Sequence, residues 1–210
     1  MNKPHTGEVI KQVAAGLFRK FGFEKTSMEE IARKAHKAKR SIYNYFSNKE
    51  DLFCSTVATE LDHVRQRLTE VMSDDSQLVL PRLRQYLLLR VELIAEAGTL
   101  RVAMKDRLLN DDDIRFEKLR QVVADFGAWE HGVFKKVWYA KPTQDTQDVV
   151  EQQAVAFADM LQVTLNGLSH TFFVDDKYEL YKPSYEMLIG LIINSIFVQF
   201  TTHLMQPAIK

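Results

Sequence analysis

Between Lys37 and Lys49 the chain gathers side chains that suit the surface of double-stranded DNA. Lys39 and Arg40 can pair with phosphates or with guanine edges. The hydroxyls of Ser41, Tyr43 and Tyr45 can donate to phosphate oxygens, and Asn44 can bond an adenine edge. Lys49, in the first turn of a following helix, can join backbone N–H groups in holding another phosphate. Ile42 and Phe46, four residues apart, take the interior side and leave the polar set outside. The same pattern also describes a small helical subdomain with a solvated polar face, because helix pairs are common.

Short helices must position that face. Upstream, Ile10, Val13, Ala14, Leu17, Phe18 and Phe21 form the i, i+3, i+4, i+7 stripe of a first helix. Gly22 supplies a left-handed C′ position that lets Phe23 pack back on Phe18. Ser27-Met28-Glu29-Glu30 reads as a capping box opening a second helix, with Met28, Ile31, Ala32 and Ala35 on its buried face. Four residues, His36 to Lys39, turn the chain into a third helix. Ser47-Asn48-Lys49-Glu50 reads as a second capping box, with a fourth helix running to about Met72.

The remainder is helical as well. One helix is expected over about Leu80–Ala97, with Pro81 tolerated in its first turn, and a short one over about Leu100–Leu109. Asp111, Asp112 and Asp113 favour the start of a helix reaching Trp138, and Lys141-Pro142-Thr143 breaks it. Val150, Ala154, Phe157, Ala158, Leu161, Leu165, Leu168 and Phe172 stripe the next helix. Asp175–Pro183 reads as a loop. A last helix, about Ser184–Leu204, is apolar almost all round and must be buried on more than one side. No strand alternation or repeat stands out, so the expected fold is all-α with about nine helices.

Several functions are disfavoured. The 210 residues include 8 Gly and 5 Pro, too few for a turn-rich sandwich or barrel. A single cysteine, Cys54, excludes an intramolecular disulfide and fits a reducing, cytoplasmic setting. It reads as a lone buried thiol, since no second cysteine could resolve an oxidised one. The apolar stretch from Met187 to Phe200 is interrupted by Asn194, Ser195 and Gln199 and falls short of the ~18 apolar residues of a membrane span. The six histidines show no metal-ligand spacing, and no phosphate loop, nucleophile elbow or other catalytic constellation appears. No enzyme activity, metal or cofactor is expected. The formal charge is zero, yet residues 1–53 carry net +5 and residues 54–210 net −5. A basic module on an acidic body suggests a polyanion met at one end, although charge alone fits chance as well.

Residues 6–53 resemble the DNA-binding domain of TetR/AcrR-family transcriptional regulators. The resemblance rests on Ile10–Phe18 with Gly22, on Thr26-Ser27-Met28-Glu29-Glu30-Ile31-Ala32, and on Ser41-Ile42-Tyr43-Asn44-Tyr45-Phe46-Ser47-Asn48-Lys49-Glu50-Asp51-Leu52-Phe53. It implies a three-helix helix-turn-helix domain over 1–53 and a larger helical bundle for ligand binding and dimerisation over 54–210. It also implies DNA contacts by Thr26, Ser27, Lys39, Arg40, Ser41, Tyr43, Asn44, Tyr45 and Lys49. The turn departs from the family pattern: His36-Lys37-Ala38 stands where Gly-Val-Ser is usual, and Arg40 where Gly is frequent. Lys37 replaces an apolar contact and brings its ammonium to the surface beside the DNA-facing set. Ala38 removes an N-cap hydroxyl, at a cost of about 1 kcal/mol.

In the resembling family the bundle encloses a small-molecule pocket. Here Tyr86 and Arg90, Phe126 and Trp129, and Phe157 and Leu161 present bulky groups from three helices and are the candidate lining. Aromatic stripes are also ordinary core. Arg90 is either an anion anchor or one half of an internal pair with Glu or Asp. A homodimer is expected through the last two long helices, with Leu191, Ile192, Ser195, Val198 and Gln199 on the contact. The expected function is a regulator, a repressor, that binds a palindromic double-stranded operator and is released by a small molecule. The alternative is a DNA-binding protein whose bundle docks a protein partner.

Overall fold

The computed structural model describes residues 6–110, 113–139 and 147–205, with side chains as far as residue 198. Asp111, Asp112 and the Lys141-Pro142-Thr143 break lie outside the described residues, as does the side chain of Gln199. The described residues form α1 (Thr6–Lys25), α2 (Met28–Lys34), α3 (Lys39–Tyr43), α4 (Lys49–Met72), α5 (Val79–Glu96), α6 (Gly98–Lys105), α7 (Glu117–Tyr139), α8 (Gln147–Ser169) and α9 (Tyr178–Met205). A 3₁₀ turn, Ile114–Phe116, leads into α7, and a π-helical turn, His170–Val174, follows α8. There is no strand among the described residues, so the all-α expectation holds.

The chain divides into two compact units. The first comprises residues 1–64 with 93–124, and the second residues 65–92 with 125–210. The spatial division therefore does not follow the boundary at 53/54: α6 and the start of α7 pack with the N-terminal helices.

The first unit is built around an aromatic cluster. Phe18 and Phe23 stack at 6.0 Å between ring centroids. Phe53 meets both edge-on at 4.9 and 5.1 Å, and Phe116 meets Phe23 at 5.0 Å. All four are buried. Gly22 sets this up, with φ 81° and ψ 172°. That backbone is reached by glycine almost alone, and it is not the left-handed helical cap expected from sequence, because ψ is extended. The chain kinks and resumes a helical turn to Lys25. Asp106 fixes the kink: its Oδ2 accepts from the Phe23 N–H at 3.2 Å and lies 3.3 Å from where a Cβ on Gly22 would stand. Phe21, placed by its spacing in the buried stripe, is exposed instead, immediately before the kink, while Phe23 after it is buried.

Local caps behave in two ways. Ser27 is the N-cap of α2, its Oγ accepting from the Glu30 N–H at 3.2 Å. The second cap is offset by one residue from the reading Ser47–Glu50. Asn48 is the cap, its Oδ1 accepting from the Asp51 N–H at 2.7 Å, and Asp51 reaches back to the Ser47 N–H at 3.1 Å. Both Ser and Asn favour the position, and the register is settled by burial of Leu52 and Phe53. A third N-terminus is capped from a distance: Glu60 of α4 accepts from the Thr99 and Leu100 N–H groups of α6 at 2.9–3.0 Å.

The second unit contains the whole of α8 and α9. Ala154, Ala158, Leu161 and Leu165 form the buried stripe of α8. The stretch Asp175–Pro183 is not a loop throughout. Helix α9 begins at Tyr178 and carries Pro183 inside it. Proline costs a helix interior about 3 kcal/mol. Tyr178 and Tyr185, on either side, both pack on Phe172 at 5.8 and 5.7 Å, and these contacts hold the helical path across it.

Candidate nucleic-acid interface

α2 and α3 form a helix-turn-helix whose turn is tightened at His36. The His36 N–H reaches the Arg33 carbonyl at 3.3 Å and the Lys37 N–H the Ala32 carbonyl at 3.0 Å. This 5→2 and 6→1 pair defines a Schellman ending with His36 at C′. Its φ is 52°, in the left-handed region where glycine is favoured. His36→Gly should therefore raise folding stability by about 1 kcal/mol, read as a shift of the denaturation midpoint. A neutral or destabilising result would mean that the imidazole makes up the backbone cost.

α3 starts at Lys39 with Ala38 as N-cap and no side-chain cap bond, as the missing hydroxyl requires. Ile42 and Phe46 are buried. Lys37, Lys39, Arg40, Tyr43, Asn44 and Tyr45 are exposed, and Ser41 is half-buried. Tyr43 is 44% exposed, and the Lys39 ammonium sits 6.0 Å above its ring. Lys39 also pairs with Glu29 of α2, which holds the Glu29 carboxyl below its usual range. Lys37 and Arg40 have no ion-pair partner among the described residues.

Two of the expected DNA contacts are placed differently. Thr26 is 1% exposed, and its hydroxyl donates to the Gly22 carbonyl at 2.8 Å. Lys49 is turned inward. Its Nζ donates to the Phe23 carbonyl at 3.0 Å and lies 4.2 Å over the Phe23 ring. Both hold the end of α1 against the starts of α2 and α4. Nearby, Lys118 pairs with Asp51 at 2.7 Å and keeps the Asp51 carboxyl below its usual range. Cys54 is buried, and that burial pushes its thiol up. No cluster of three or more potential metal ligands occurs among the described residues.

In the second unit the six candidate ligand residues fall into separate settings. Arg90 of α5 makes a two-pronged pair with Glu130 of α7, Nε–Oε1 2.5 Å and Nη2–Oε2 3.0 Å. The Tyr86 hydroxyl donates to the same Oε1 at 2.9 Å, and burial pushes the Tyr86 hydroxyl up. Of the two readings of Arg90, the internal pair is the one observed. Trp129 is half-buried between Phe126, at 5.4 Å, and the Arg65 guanidinium, also at 5.4 Å. Phe157 packs on Trp138 at 5.3 Å. Phe157 and Leu161 border a hollow of about 380 Å³ whose other wall includes Leu191, Ile192 and Ser195. Candidate ligand residues and candidate dimer residues thus meet in one place. Leu191, Ser195 and Val198 are exposed, and Ile192 is half-buried.

Glu130 was not singled out from sequence. The signal was present: it lies four residues from Phe126 and four from Phe134 in the buried stripe of α7, and a buried arginine elsewhere needs a counter-charge.

Residues 10–55 match the family model of bacterial regulatory proteins, tetR family. A stretch of 65 residues is 35% identical to the uncharacterised HTH-type transcriptional regulator YhgD of Bacillus subtilis, covering 31% of this chain and 34% of that protein. The match thus spans about a third of the relative's length. A solved transcriptional regulator from Rhodococcus sp. Rha1 superposes with a TM-score of 0.69 at 18% identity, over 91% of this chain and 97% of that one. The fatty acid degradation regulator FadR from Bacillus halodurans does so with a TM-score of 0.66 at 18% identity, over 87% and 97%. At such identities the structural likeness is one of fold. The matched segment coincides with the helix-turn-helix and its supporting helices, so residues 10–55 are similar to the DNA-binding segment of bacterial regulatory proteins, tetR family.

Proposed function

We propose that the chain is a DNA-binding transcriptional repressor that reads a palindromic operator as a homodimer and is released by a small molecule bound in its second unit. The observation that carries the DNA reading is the exposed face of α3 and its turn, with Lys37 and Arg40 unpaired and Tyr43 and Asn44 beside them. α3 enters the major groove. Lys37, Lys39, Arg40, Ser27, Ser41, Tyr43 and Tyr45 serve phosphates or base edges, and Asn44 reads an edge. Thr26 and Lys49 act indirectly, by holding the backbone that presents this face.

Two recognition helices must lie roughly 34 Å apart to enter successive major grooves. α4 and α7 each have residues in both compact units, so a ligand that favours another tilt of either helix has a covalent route to that spacing. It shifts the equilibrium only by its difference in affinity for the two states.

The test is fluorescence anisotropy with a duplex selected from a random library, over a series of salt concentrations. Arg40→Ala and Lys37→Ala should each lower the slope of log K against log salt by about one unit. Lys49→Ala should leave the slope and lower the melting temperature. Asn44→Ala should relax base preference at one position of each half-site. Unchanged binding in the Lys37, Arg40 and Asn44 variants together would remove this face from the interface.

A further inference from the structure

Three cations belong to the exposed face of α3 and its turn, and one of them is held. Lys37 and Arg40 have no acid paired with them among the described residues, whereas the Lys39 ammonium is hydrogen-bonded and ion-paired to the Glu29 carboxylate of α2. Both side chains of that pair stay more than half exposed. Arg33, also on α2, pairs with Glu30 instead, at 3.9 Å. The bond to Lys39 holds the Glu29 carboxyl below its usual range, so it is ionised at neutral pH. The same ammonium lies 6.0 Å over the Tyr43 ring, one turn further along α3. Contacts from both helices thus fix the end of an otherwise flexible side chain.

An exposed ion pair adds little to folding stability, and its effect falls on binding instead. Affinity for unrelated DNA comes almost entirely from cations that neutralise phosphates and release their counterions. A lysine already answered by a carboxylate brings no net charge to the phosphates unless the pair opens. Lys39 nevertheless keeps N–H donors beyond the one given to Glu29. As the first residue of α3, it stands where the leading residues of a recognition helix meet base edges. A donor fixed in place suits an acceptor fixed in place, such as guanine O6 or N7. We infer that Glu29 is a specificity-determining residue of the DNA-binding face: it withholds Lys39 from the phosphates and positions its ammonium for a base edge. This rests on the reading of α3 as the recognition helix.

The test compares the full-length protein on its selected duplex and on an unrelated duplex of equal length, by anisotropy over about 50 to 200 mM salt. Glu29→Gln frees Lys39 and should tighten binding to the unrelated duplex. The slope of log K against log salt should steepen by about one unit, so that the affinity lost across that range grows about threefold to fourfold. The selected duplex should gain less, and the ratio of the two affinities should fall. In the wild type, Lys39→Ala should leave the slope on unrelated DNA unchanged and weaken the selected duplex by about fivefold or more. In the Glu29→Gln background it should take the extra unit of slope away. Glu70→Gln removes another exposed, arginine-paired carboxylate, in the second unit, and controls for net charge; it should change neither affinity nor slope. Circular dichroism should show wild-type helicity for every variant.

A Glu29→Gln protein with unchanged slope and unchanged affinity for unrelated DNA overturns the inference. So does a Lys39→Ala change that already flattens the slope in the wild type, or an equal tightening by Glu70→Gln. If the Lys37, Arg40 and Asn44 variants also bind as the wild type does, the recognition-helix reading falls and takes this one with it. If those variants lose binding while Glu29→Gln changes nothing, only the role of Glu29 falls.

Discussion

Glu130→Ala should cost about 3–5 kcal/mol of folding stability, because it leaves a charged partner buried and unpaired. In a chain of this size that lowers the melting temperature by roughly 10 °C. The geometry explains the magnitude. Glu130 accepts from Arg90 through both oxygens and from the Tyr86 hydroxyl, and all three side chains are shut away from water. Removing the carboxylate strands a guanidinium and a hydroxyl together, and stranded buried groups forfeit their full solvation.

Two companion variants separate charge from contact. Glu130→Gln keeps an acceptor for Tyr86 but removes the charge, so it should lose less than alanine. Replacing Arg90 and Glu130 together by methionine leaves no buried charge and should lie nearer the wild type than either single change. Urea titrations at one fixed protomer concentration check this, since oligomer stability depends on concentration. A Glu130→Ala protein within 1 kcal/mol of wild type would show that the pair is hydrated in solution.

Sequence reading succeeded where the determinant is local. Apolar spacing placed α1, α2 and α8 to within a few residues, because a helix needs only its own neighbours at i+3 and i+4 to show its buried face, and a capping pattern placed α4. It slipped where two neighbouring residues compete for one role, as Ser47 and Asn48 do for the cap of α4. It also slipped where tertiary contacts override a local rule, as the rings around Phe172 do for Pro183. The residue types that make α3 and its turn the proposed DNA face were legible, but the placement of individual members was not. Lys49 reads as a phosphate ligand by type and position, and only the fold brings it to a carbonyl 26 residues earlier in the chain. Arg90 and Glu130 are 40 residues apart, and nothing local distinguishes a buried acid at the right height on α7 from a solvated one.

Charging the outer face of α9 should turn the protein into a folded monomer with little operator affinity. Leu191 and Val198 are 60% and 58% exposed, and Met187 of α9 and Met160 and Val163 of α8 are exposed with them. Single exposed apolar residues are ordinary, but a contiguous set on two neighbouring helices marks a surface that is covered in use. The proposed homodimer would cover it with a second copy. A two-fold contact joins one patch to itself, and the hollow between Phe157, Leu161, Leu191 and Ile192 can receive a side chain from the same face of a partner. Leu191→Glu combined with Val198→Glu would bring four negative charges together across the two-fold contact, while the monomer's own core, built on Tyr185, Ile189 and Ile196, is untouched. Light scattering should show a dimer for the wild type at micromolar concentration and a monomer for the variant, with equal helical circular dichroism. Operator affinity should fall by about 100-fold or more, because linked binding to two half-sites contributes that much without any new contact. Binding to unrelated duplex, which needs one head and its phosphate contacts only, should change little. Leu78→Glu serves as the control: Leu78 is exposed but lies outside α8 and α9, and its substitution should alter neither mass nor affinity. A wild type that scatters as a monomer, or a doubly charged variant that remains a dimer, would place the partner surface elsewhere.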